Sequence, residues 1–189
     1  MENTITKPAR NTKKVVATIM TPDYGFIELF EYADSGRVIT RDKVDTITGV
    51  PHPGIVIGID RYGRIWVAHN HRLNGLPTYD VMEKYLDKEE MRYDNRSVKY
   101  TRSEIVRRAI AEVEKGKGYF WLTYNCQIFV NLVVRNEHVS ESVDKFSHWT
   151  MLIGFVTTIM GLIFKKNTVT IAGLGILIIG GAAKGISRM

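Results

Sequence analysis

The chain has 189 residues, 44% of them hydrophobic, enough for one buried core with appendages. Its formal charge of +6 sits at the ends: residues 1–14 carry +3 and residues 145–189 carry +5, leaving −2 for residues 15–144. A nucleic-acid-binding domain would spread Lys and Arg over one folded face, so the placement argues against that class, and basic ends are compatible with anionic lipid headgroups. The single cysteine excludes an internal disulfide and asks for no oxidising compartment.

Residues 1–14 are polar and basic, without the apolar stretch of a secretory signal, and read as a flexible arm. Val15 to Met20 reads as a strand, Thr21 to Gly25 as a turn, and Phe26 to Tyr32 as a second strand with both faces partly apolar. Ala33 to Gly36 turns the chain before a short strand at Arg37 to Thr40. Two apolar blocks follow, Gly49 to Gly58 and Trp66 to His71, joined by the turn-like Asp60-Arg61-Tyr62-Gly63. They read as a hairpin with His52 at one outer end and His69 and His71 at the other, and antiparallel pairing brings those ends together. His69 and His71 alternate along an extended strand, which would point them to opposite faces and argues against a shared metal ion.

Arg72 to Pro77 reads as a loop. From Thr78 the pattern turns helical, with Val81, Met82, Tyr85 and Leu86 on one stripe. Met91 to Lys99 is polar and irregular. Thr101 and Glu104 then form a capping box for a helix whose buried stripe is Ile105, Val106, Ala109, Ile110 and Val113, closed by Lys115-Gly116, with Arg107, Arg108 and Glu112 on a solvated face. Tyr119 to Leu122 is an aromatic cluster, read first as packing and second as an acyl-chain groove. Asn125 is a good N-cap, and Cys126, Phe129/Val130 and Val133 recur at helical spacing to about Val134. Cys126 would sit in the first turn, where backbone N–H groups and the helix dipole stabilise a thiolate. The backbone amides of Cys126 and Gln127 could hold an oxyanion there. A lone cysteine is more often a small buried hydrophobe, so the chemistry depends on the histidines reaching it.

From Trp149 to Phe164 and from Thr168 to Ala183 run two stretches of 16 residues without a charge, separated by Lys165-Lys166-Asn167. Each would be about 24 Å long as a helix against a hydrocarbon core of roughly 30 Å. Extension to Phe146 and snorkelling of Lys166 and Lys184 brings both near the required length. Gly161, Ala172, Gly175, Gly180 and Gly181 would let two helices approach, so a hydrophobic hairpin in or across the membrane is the first reading of residues 145–189, after a domain at 15–144. A broken or re-entrant segment and a hairpin docked on the soluble core are the alternatives. Positive charge at both ends, in Lys165-Lys166 and in Lys184 with Arg188, sets no orientation.

The histidine block His52-Pro53-Gly54-Ile55-Val56-Ile57-Gly58 with His69, followed by Asn125-Cys126-Gln127-Ile128-Phe129-Val130, resembles the lecithin retinol acyltransferase-like family, whose blocks read roughly H-W-A-I-Y-V-G and N-C-E-H-F-V. The resemblance covers about residues 24 to 135 in the order His, His, Cys. Pro53 replaces an aromatic residue, Gln127-Ile128 replaces Glu-His, and the hairpin is slightly longer. The resemblance implies an α+β, permuted papain-like fold with an antiparallel sheet packed on helices. It also implies that Cys126 is the nucleophile, His52 its general base, and His69 the orienting third residue, with His71 as competitor.

The implied reaction is acyl transfer from a membrane phospholipid, through a cysteine thioester, to water, an amine or an alcohol, without cofactor or metal. The chain would be membrane-associated, with this domain in a reducing compartment. Two other readings use the same residues: a cysteine peptidase or amidase, and a non-enzymatic membrane-active protein.

Overall fold

Alternation of apolar residues builds a hairpin from β1 (Val15–Thr21) and β2 (Gly25–Phe30), with Ile19, Ile27 and Leu29 buried and Phe26 turned to solvent. The computed structural model describes residues 14–42 and 51–186 and has an α+β architecture: one antiparallel seven-stranded sheet and five α-helices among the described residues. All of the expected arm at residues 1–14 except Lys14, the start of the histidine block at Gly49-Val50, and Arg188 lie outside the described residues.

The sheet is centred on β4 (His52–Ile59), with seven of its eight residues buried. One edge pairs first with β3 (Val38–Arg41), from Arg41 opposite His52 to Val38 opposite Ile55, and at its far end with β2 through Phe30 and Ile59. The other edge pairs with β5 (Ile65–Asn70), which in turn pairs with β6 (Pro77–Val81). β7 (Met91–Tyr93) extends the sheet beyond β3. The β4–β5 register shifts between Val56 and Gly58, and Gly58 adopts φ 154° with its Cα so near β2 that a methyl there would come within 2.9 Å of the Phe30 carbonyl.

Both faces of β4 are covered, which explains its near-continuous apolar run. On one face Ile55, Ile57, Trp66 and Ala68 pack against Ile105 and Ala109 of α2 (Arg102–Glu114) and against Ile128, Phe129 and Val133 of α3 (Cys126–Arg135). On the other, Val56 and Val67 meet Ile39 and Tyr85 of the short helix α1 (Met82–Leu86). The Thr101–Glu104 capping box is formed, and Asn125 caps α3 through bonds from the amides of Gln127 and Ile128.

Three expectations change. Thr78 to Val81 is a strand, not the start of a helix. Tyr79 faces the α2 core and donates its hydroxyl to the Ile110 carbonyl at 3.2 Å, Asp80 faces His69, and pairing with β5 selects the alternating pattern over the helical one. Met91 to Tyr93 pairs with β3 instead of remaining irregular. Arg108 and Glu112 are not a solvated face. Arg108 donates to the Val133 and Leu132 carbonyls at 2.7 and 2.6 Å, closing the end of α3, and buried Glu112 accepts the Tyr124 hydroxyl at 2.9 Å.

The C-terminal part is a helical hairpin of α4 (Glu141–Ile163) and α5 (Asn167–Ile186), both long and apolar enough to cross a membrane. The division expected at residues 144/145 falls inside α4, whose cap Ser140 and first-turn residues Ser142 and Val143 are buried on the domain. Along the seam Ser147, Gly154 and Gly161 recur every seven residues, facing Gly180, Gly173 and Thr170 respectively, and the Ser147 hydroxyl donates to the Gly180 carbonyl at 2.7 Å. Gly161 and Gly180 serve the close approach as expected. Gly175 and Gly181 do not, since a methyl at either meets nothing within 4 Å.

Candidate functional site

His52 opens β4 and His69 lies near the end of β5, with Gly54 paired opposite His69, so the hairpin brings the two imidazoles together as its pattern predicts. His52 Nε2 and His69 Nδ1 are 3.0 Å apart, and His69 Nε2 is 2.9 Å from Asp80 Oδ2. The other Asp80 oxygen meets Lys84 Nζ at 2.8 Å, and Lys84 also reaches Asp23. His52, His69 and Asp80 are all buried. The result is one hydrogen-bonded row, His52–His69–Asp80–Lys84, that runs from the start of β4 across β5 and β6 to α1.

The row fixes the tautomers. Flanked by His69 and Lys84, Asp80 keeps its carboxyl below the usual range: burial pushes it up, but the bonds from His69 and Lys84 outweigh that. An ionised Asp80 accepts from His69 Nε2–H, which leaves His69 Nδ1 as an acceptor and puts the His52 proton on Nε2. The lone pair on His52 Nδ1 is then its basic site. Burial, followed by the charges of His69, Arg41 and His71, holds His52 well below the ordinary histidine range. His69 is lowered mainly by burial, against the opposing pull of Asp80. Both rings are therefore neutral at neutral pH.

The sign of the resulting pH dependence follows. A histidine whose folded-state value lies below its unfolded value of about 6.5 binds fewer protons folded than unfolded, so its stabilisation is present above about pH 6.5 and is lost as the pH falls through that point toward the folded value. Each of the two groups contributes at most about 1.4 kcal/mol per pH unit in that window. Thermal unfolding of the full chain in detergent micelles, followed in the near-UV, should show a transition that drops between about pH 7 and 5. The drop should shrink in a His52→Gln, His69→Gln double variant.

His71, the competitor for the third position, stands just past the end of β5, where strand alternation no longer holds. Its ring lies edge-on to His52 at 5.0 Å between centroids and 6.3 Å from His69, so the two expected to face apart converge on His52. His69 holds the bonded position. No group of three or more potential metal-ligating His, Cys, Asp and Glu side chains assembles among the described residues.

Tyr85 and Arg41 complete the buried surround. The Tyr85 hydroxyl donates to the His52 carbonyl at 2.7 Å, and Arg41 Nη1 donates to the Tyr85 carbonyl at 2.5 Å. Gly54 makes room for the Tyr85 ring, since a methyl there would come within 2.9 Å of Tyr85 Cε2 and 2.7 Å of Val67.

Cys126 is the first residue of α3, partly exposed, and α3 packs on β4 and β5. Asn70, next to His69, donates its amide to the Tyr124 carbonyl at 3.0 Å and so ties the histidine end of β5 to the turn that precedes Cys126. Burial holds the Tyr85 hydroxyl far above its usual range, with Arg41 opposing it. Of the two backbone amides expected to hold an oxyanion, that of Gln127 is committed to the cap, donating to Asn125 Oδ1 at 3.0 Å. The Gln127 side chain accepts from the Ser142 amide at 2.8 Å and from Ser140, while Asn125 donates to Ser140 Oγ at 2.8 Å, so both neighbours of Cys126 grip the start of α4.

Asp80, Tyr85 and Arg41 are the site residues that sequence reasoning missed. The one available signal for Asp80 was the alternation Pro77-Thr78-Tyr79-Asp80-Val81 after a strand, masked by the helical stripe that begins at Val81. Among known proteins, the chain matches no family model and no curated sequence.

Proposed function

We propose that this chain is a membrane-associated cysteine acyltransferase or lipid hydrolase that acts on acyl esters of glycerophospholipids. The observation that carries the reading is the buried His52–His69–Asp80 row, a neutral base with a fixed tautomer and an anionic anchor, beside the helix that begins with the sole cysteine. Structural cores seldom bury two neutral histidines and a carboxylate in series, whereas nucleophile activation uses that arrangement. The fold in this reading is the permuted papain-like one, with the histidine strands before the cysteine helix.

In the proposed cycle His52 Nδ1 takes the proton from Cys126 Sγ, and the thiolate adds to the ester carbonyl. The helix dipole and the Cys126 amide hold the tetrahedral oxyanion, the Gln127 amide being engaged in the cap. His52, now an imidazolium stabilised through His69 by Asp80, returns its proton to the departing alcohol as the C–O bond breaks and a thioester forms. A water, amine or alcohol then loses its proton to His52, attacks the thioester, and releases the acyl product with the thiol restored. The apolar α4–α5 pair favours a lipid donor over a peptide one, because a tethered enzyme meets its substrate without extracting it through water.

The test is intact-mass analysis of the full chain after brief mixing with phospholipid in mixed micelles. The expected result is a mass increase equal to one acyl group, lost with hydroxylamine and mapped to Cys126. Acylation by a peptide or amide donor with none by phospholipid would move the assignment to an amidase, and no acylation by any donor would remove the enzymatic reading.

A further inference from the structure

Two loops run into the proposed site, and both carry apolar side chains into solvent. The segment after His71 passes through a 3₁₀ turn (Arg72–Asn74) and presents Leu73, 82% exposed, and Leu76, 46% exposed. The segment that leads to Cys126 presents Phe120, 58% exposed. The Tyr119 amide donates to the Gly75 carbonyl at 2.7 Å, so the two tips stand side by side. Exposed leucine and phenylalanine at adjacent loop tips cost solubility and call for an occupant.

Three observations point to one. First, the Trp121 ring packs edge-on against Phe146 of α4, with centroids 4.8 Å apart, and less than one turn later Trp149 begins the exposed apolar surface of α4. The loops therefore lie at the level where the hairpin becomes apolar. Second, residues 115 to 125, the segment that leads to Cys126, contain Lys115 and Lys117 but no acid, the sign that suits anionic headgroups. Third, a few side chains on protruding tips make no surface of the roughly 800 Å² per partner that a stable protein complex buries, yet suffice to enter a bilayer surface.

We propose that Leu73, Leu76 and Phe120 enter the lipid surface beside the hairpin and seat the Cys126–His52 mouth at the boundary between headgroups and acyl chains, where ester carbonyls lie. This rests on the membrane reading above and adds a second contact made by the domain itself.

The test uses the full chain with Cys126→Ser and one new cysteine at a time, Leu73→Cys, Phe120→Cys or, at the far end of the β4–β5 hairpin, Tyr62→Cys. Each is labelled with an environment-sensitive fluorophore and reconstituted into phosphatidylcholine–phosphatidylserine vesicles. Labels at 73 and 120 should shift to the blue and be quenched by nitroxides on the lipid acyl chains, while the label at 62 should behave as in water. A chain that floats with the vesicles but keeps the 73 and 120 labels in water overturns this inference and leaves the membrane reading intact. A chain that does not float overturns both.

Discussion

Cys126→Ala should lower turnover of a phospholipid or activated ester by about 10⁴-fold or more, with the circular dichroism unchanged. Removing the nucleophile leaves no covalent path, and the side chain is only partly buried, so its loss opens little space. His52→Gln should have nearly the same effect for a different reason. Its amide can still donate to His69 Nδ1, preserving the row, but offers no base to the thiol. Combining the two should cost hardly more than either alone, because residues that act as one unit are not additive. Stopped assays on the single and double variants check this. Wild-type turnover in Cys126→Ala would end the thioester mechanism.

Asp80→Asn is expected to lower kcat by about 10²-fold to 10⁴-fold, the range associated with general acid–base catalysis, while KM changes little. The neutral amide has one oxygen where the carboxylate has two, so it cannot accept from both His69 Nε2 and Lys84 Nζ. If its NH₂ faces His69, the proton moves to His69 Nδ1 and then forces the His52 proton onto Nδ1, the nitrogen that has to take up the thiol proton. If its oxygen faces His69, the NH₂ confronts Lys84, and the imidazolium formed during the reaction loses its counter-charge. The pH profile separates this from a purely structural defect. Without the anion the His52 imidazolium is less stable, so the acid limb of kcat should move to lower pH, whereas mere loosening of the fold would lower activity without moving the limb.

The parts of the site that were legible in the sequence are those set by short-range rules. A capping asparagine before a periodic apolar run placed Cys126 at a helix start, and two apolar blocks around a short turn placed His52 near His69. Asp80 escaped because its role depends on the β5–β6 register, which sets Val67 against Asp80 and lets the carboxylate reach diagonally to His69. Nothing within a few residues of Asp80 encodes that. Tyr85 was placed on the apolar stripe of a helix, but its bond to the His52 carbonyl spans 33 residues. Glu112 and Arg108 were misjudged for the same reason, since their partners Tyr124 and the end of α3 come from the following segment. In the hairpin, the charge-free runs marked the two helices but not the start of α4, which begins at Glu141 where Ser140 caps it on the domain, and which glycines meet required the seven-residue phase of both helices.

The grip of Asn125 and Gln127 on the first turn of α4 has a geometric corollary. Because α4 continues unbroken from its cap at Ser140 through Ile163, no swivel separates the cysteine turn from the long apolar rods. The stand-off between Ser140 and Trp149 is therefore set by helical rise, at about 14 Å, and the azimuth by helical twist. Inserting a single residue between them would rotate the rods by about 100° about their axis and turn the mouth of the domain aside, although every amino acid on both sides would be unchanged.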